Sequence, residues 1–216
     1  MKYEITVPES LEDITLEQYQ KFLLIEEPTT DDLLTIFLNE SLEVVESIKA
    51  SEIDKLVIHI NSLFEKKQEH RRKFKLNGVP YGFIPDLDNI TYGENKDVTS
   101  NINDWQKMNR AMAVLYRPIT LSKGGKYLIE DYKGTRLTSE VMLQMPLSVV
   151  MGSMVFFWDL TNDCLNSIPN YIEKQMQAMS KSNLEKNGEA IKKYTHLLRE
   201  TLKDLTTLQH FPYTNV

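Results

Sequence analysis

Apolar residues recur at helical spacing through the first third of the chain and then switch to strand spacing. In DITLEQYQKFLLI (13–25) Thr15 can cap a helix, Gln18 can close a capping box, and Ile14 can staple against Tyr19. Pro28 ends that segment. TTDDLLTIFLNE (29–40) predicts a second helix, capped by Asp31 or Thr30 with acids in its first turn, and SLEVVESI (41–48) a short third. The clearest stripe lies in SEIDKLVIHINSLFEKKQ (51–68). There Ile53, Leu56, Val57, Ile60, Leu63 and Phe64 keep the i, i+3, i+4, i+7 spacing of one buried face.

From about residue 72 the period is two. Phe74 and Leu76, then Val79, Tyr81 and Phe83, alternate on either side of Asn77-Gly78, which predicts an antiparallel hairpin over about 72–84 with a type I′ turn. Pro80 has no N–H to give, so its strand should be an edge or carry a bulge. The hairpin exits into the turn PDLDN. Helical spacing returns in NINDWQKMNRAMAVLYRP (101–118), with Asp104 as cap, a stripe of Trp105, Met108, Met112 and Leu115, and Pro118 as the stop. A glycine turn and a short strand (126–132) follow, then a short helix (139–145). LSVVMGSMVFFWDLTNDCL (147–165), opened by Pro146, is apolar nearly all round, which predicts the central helix. Gly152 and Ser153 would let a neighbouring helix approach closely.

Beyond Pro169 the chain turns amphipathic and polar. Leu184, Ile191, Leu198 and Leu205 recur every seven residues, with Tyr194 and Leu208 at the d positions and Asn187 and Thr201 interrupting them. This predicts a C-terminal helix that either docks on its own domain or pairs with another copy. The expected fold is therefore α+β and mostly α. Residues 1–170 form a helical domain with a small antiparallel β element, and 171–216 a C-terminal amphipathic helical extension.

Composition narrows the function classes. With 216 residues and 41% hydrophobic content, the chain can bury a core. A net charge of −6 argues against nucleic-acid binding. MKYEITVPES lacks the apolar centre of a signal peptide, and the longest apolar run (149–158) falls short of the roughly 20 residues of a membrane span, so the expected location is cytoplasmic. Residues 1–57 hold 14 acids against 4 lysines, whereas EKKQEHRRKFK (65–75) reverses the sign. That basic run reads as a solvated helix end or as a site for an acidic partner segment.

Candidate chemistry is sparse. Asp86 and Asp88 match the first two positions of a calcium loop, but Ile90 and Thr91 then stand where the loop needs a ligand and a glycine. In PDLDN they read as turn residues. His59, His70, His196 and His210 show no metal-ligand spacing, Cys164 is alone, and no phosphate-binding glycine motif occurs. No enzymatic activity, cofactor or metal is expected. The distinctive residue is methionine. Six of nine fall at 108, 112, 142, 145, 151 and 154, within the two helical regions predicted to be central, where they fill a core or line an adaptable groove for a partner helix.

Taken in order, ITVPESLEDITLEQYQKFL, YGFIPDLDNITYGE, MNRAMAVLYRPI, KYLIEDYKG and MPLSVVMGSMVFFW resemble a protein family of tailed bacteriophages and gut-associated prophages, over roughly residues 1–165. Members are similar in size and helical character to tail assembly chaperones. The resemblance implies a morphogenesis protein of the host-cell cytoplasm that coats the apolar helical tape-measure protein until tail-tube subunits displace it. The alternative is a structural virion component, a head–tail connector or minor tail protein. On the chaperone reading the partner surface would use Met108, Met112, Met151 and Met154, with Ile191, Leu198 and Leu205 on the C-terminal helix. No nucleic acid or membrane partner is implied.

Overall fold

The computed structural model describes residues 5–136, 138–160 and 163. The protein is a mostly helical α+β fold with a four-stranded antiparallel sheet. The chain divides into two compact units, 1–154 and 155–216; the boundary expected near 170 and the heptad positions Ile191, Leu198 and Leu205 lie outside the described residues. Among the described residues no helix is long and apolar enough to cross a membrane.

Local signals set the helical half. Helix α1 (Leu16–Leu23) starts with the expected capping box: Thr15 Oγ1 accepts from Gln18 N–H at 3.2 Å, and Gln18 Oε1 accepts from Thr15 N–H at 2.8 Å. Helix α2 (Thr30–Leu38) is capped one residue earlier than expected, by Thr29 in a second box with Asp32. Asp32 can return a bond to Thr29 N–H from that register, which settles the choice. Helix α3 (Leu42–Glu46) is short, and α4 (Ala50–Glu65) is the longest with both ends described. Between α1, α2 and α4, Phe64 stacks on Tyr19 at 5.8 Å and meets Phe37 edge-on at 5.6 Å, and Trp105 meets Tyr19 edge-on at 5.0 Å.

Strands β1 (Lys73–Leu76) and β2 (Val79–Phe83) form the predicted hairpin, with Asn77 at φ 50° and Gly78 at φ 80°. Strand β3 (Tyr116–Lys123) pairs with β2 although residues 84–115 intervene, and β4 (Lys126–Ile129) pairs with β3. Pro80 needs neither an edge strand nor a bulge. The β2–β3 ladder begins at Tyr81, so no partner on that side requires the missing N–H.

The intervening segment departs from expectation. Residues 92–101 form helix α5 (Tyr92–Asn101), where the sequence pattern predicts no element. The helix expected over 101–118 is a 3-10 turn (Trp105–Lys107) capped by Asp104, then α6 (Met108–Leu115). It stops three residues before Pro118 because Tyr116 begins the strand. Pro118 lies inside that strand, where its carbonyl accepts from Glu130 N–H at 3.0 Å.

Helix α7 (Ser139–Met142) leads through Pro146 into α8, helical over 147–160. In the first unit α8 is as buried as its composition predicts: Leu147, Val149, Val150 and Ser153 have no exposed surface. The neighbour that Gly152 admits is the connector before β1, rather than a helix. A methyl built on Gly152 would sit 2.2 Å from the Glu69 carbonyl oxygen. Beside it, the Tyr116 hydroxyl lies 2.9 Å from Ser153 Oγ and donates to the Arg71 carbonyl at 2.7 Å. Burial pushes the Tyr116 phenol well above its ordinary pKa, so the group stays protonated.

Gly152→Ala should cost about 2 kcal/mol or more, since a backbone carbonyl cannot swing aside. Gly93→Ala, whose new methyl meets Tyr132 at an ordinary 3.6 Å, should be neutral or stabilising by up to about 1 kcal/mol. Urea unfolding of the two variants checks the opposed signs.

Candidate interaction surfaces

The sequence-singled residues divide by burial. Met108, Met112, Met142 and Met145 have no exposed surface, Met151 is 8% exposed, and Met154 is half-buried. They fill the core of this fold, so Met108 and Met112 offer nothing to a partner while the helices stay packed. Asp86 closes a turn, accepting from Asp88 N–H at 3.0 Å and Asn89 Nδ2 at 2.6 Å. His59 Nε2 lies 2.8 Å from the Pro8 carbonyl. His70 packs edge-on against Phe83, and burial, helped by the Arg72 charge, lowers its pKa. Among the described residues no three metal-ligating side chains converge.

One buried charged cluster was not foreseen. Thr91 caps α5, and Glu94 returns the bond to Thr91 N–H at 2.7 Å while pairing with Arg117 of β3. Glu94 is 5% exposed and Arg117 9%. The Tyr132 hydroxyl donates to Asp97 one turn along, and Arg117 lies over the Tyr132 ring. Burial alone would raise the Glu94 pKa, but the Thr91 bonds and Arg117 outweigh it, so the net direction is down. The string TYGE carries this capping box in plain sight. This cluster fastens α5 to the sheet.

Apolar surface remains open in two places. The first is helical. Of the α4 stripe only Ile60 and Leu63 are buried; Ile53, Leu56 and Val57 are half-buried, and Ile58 on another flank is 69% exposed. From Ala50 to Ile58 no residue is buried, and the acids Glu43, Glu46, Glu52 and Asp54 stand exposed on α3 and α4. The second lies at the far end of the sheet. Register and alternation put Val79, Leu121 and Leu128 on the same face as core residues Phe74, Tyr81 and Tyr116. An irregularity at Thr120 shifts the alternation by one residue and so brings Leu121 to the face of Tyr116, and Tyr127, on the other face, lies over Gly82. Every residue from Thr120 to Lys126 is exposed.

No family model, no curated protein and no solved structure matches the chain.

Glu94→Gln keeps the capping box but uncouples Arg117, and should cost about 3 kcal/mol near neutral pH. Because the folded Glu94 pKa is depressed, its contribution is complete at neutral pH and is lost as pH falls through the acid range. The gap between wild type and variant should therefore narrow below about pH 4, which urea titrations across pH measure.

Proposed function

We propose that this protein is a phage morphogenesis factor, a tail assembly chaperone that holds the tape-measure protein through apolar helical surface in the host cytoplasm. The observation that supports this reading is α4. Its sixteen residues carry a continuous apolar stripe of which the fold fully buries only Ile60 and Leu63 and leaves Ile53, Leu56 and Val57 half-covered. A helix that leaves half its stripe half-covered can accept an amphipathic helix from another chain at little cost. The acidic flanks keep the free protein apart from its own copies and soluble. Binding of this kind is reversible, as displacement by tube subunits requires, and makes no covalent change. The Met-lined core would contribute adaptability behind the surface rather than contact.

The test is co-expression with a long helical tape-measure protein. Its soluble fraction should rise in the chain's presence, and Ile53→Asp combined with Val57→Asp, both on the open part of the stripe, should abolish that rise while the helical circular dichroism is retained, since neither residue is fully buried. An unchanged soluble fraction overturns the proposal. Fixed stoichiometry in purified particles, read by mass spectrometry, would make the chain a virion component instead.

A further inference from the structure

A separate surface, independent of what α4 holds, carries a second binding activity. We infer that the outer edge of β4 takes up an extended acidic segment of another protein as an added strand, with apolar side chains beside Leu128 and carboxylates beside Lys126, and with Leu121 and Lys123 of β3 one strand further in. Three observations converge. First, β4 ends the sheet: no strand lies beyond it among the described residues, so one side of its backbone is open to pairing. Second, the core face of the sheet continues past its covering helices as Val79, Leu121 and Leu128, which are 42%, 58% and 60% exposed. Third, Lys123 and Lys126 are register partners directly across the hairpin, and among the described residues neither forms a salt bridge.

Like charges placed opposite each other destabilise a strand pair, and a glycine turn that carries them is held in that arrangement. Carboxylates on an incoming strand relieve the repulsion. Alternation then puts the two lysines on the same face as the leucine pair, so one face of the added strand would present acids near the turn and apolar groups beyond it. The acids that follow β4 do not answer the lysines. Glu130 stands toward Tyr81, whose phenol it helps burial to push up. The other sheet edge is unsuited to the same role, because β1 carries exposed Lys73 and Lys75 on the opposite face, with Lys73 engaged over the Tyr127 ring.

The protein, titrated at low salt with a labelled extended peptide that carries two glutamates and then two valines at alternate positions, with threonines between them, should raise the peptide's fluorescence anisotropy and shift the backbone amides of Lys126–Ile129. Lys123→Glu with Lys126→Glu should weaken binding about tenfold or more, with unchanged circular dichroism because both positions lie outside the core. A peptide with proline at alternate positions should not bind, and added salt should weaken the complex. Ile53→Asp with Val57→Asp should bind the peptide normally, which separates this site from the α4 proposal. Equal binding of a valine–lysine peptide, an undiminished double variant, or retention of the proline peptide overturns the inference. So does binding of phosphatidylglycerol vesicles, or hairpin-dependent self-association in sedimentation, in place of the peptide.

Discussion

Two helix beginnings, far apart in sequence, satisfy each other. The first N–H groups of any helix lack partners within it. Here Leu16 and Glu17 of α1 donate to the carbonyls of Met145 and Leu143, while Leu147 and Ser148 of α8 donate to those of Ile14 and Leu11, all at 2.8–3.0 Å. Pro146 sits at the crossing, bridged to Thr15, where a missing N–H costs nothing. The Glu12 carboxylate accepts from the Ser148 hydroxyl and pairs with Arg71, which adds the segment before β1 to the same lock. Once α8 is fixed there, Ser153 and Gly152 fall against Tyr116 and Glu69. The sheet is placed by that contact.

What could be read from the sequence was local. Thr15 with Gln18, Asn77 with Gly78, Asp104 as a cap and the apolar belt of 147–153 each carry their cause within a few residues. Strand β3 escaped because MNRAMAVLYRP keeps helical spacing across the point where helix becomes strand, and only pairing with β2 decides that Tyr116 is extended. Helix α5 escaped because it has no apolar stripe; its anchor is one buried ion pair to a residue 23 positions later. The open surfaces were half-visible in the same sense. The α4 stripe was plain in the pattern, but how much of it the fold covers is a tertiary fact. With β3 unseen, Leu128 had no partner and Lys126 no opposing charge.

The two uncovered surfaces differ in sign. Acids flank the open part of α4, and lysines rim the far end of the sheet. An apolar patch framed by one charge selects against partners carrying the same charge, so the two places need not compete for one ligand. The net charge conceals this division, because the acidic excess of residues 1–57 outweighs the basic excess of the residues that follow.

The placement of α5 and α6 between neighbouring strands has a kinetic corollary. The hairpin β1–β2 can close early, but β2 cannot meet β3 until residues 84–115 have compacted enough to bring their ends together. That loop-closure entropy is spent before the ladder returns anything. Sheet completion is thereby made to wait for helix formation, and a nascent chain still lacking α6 would leave the Phe83 edge without its neighbour.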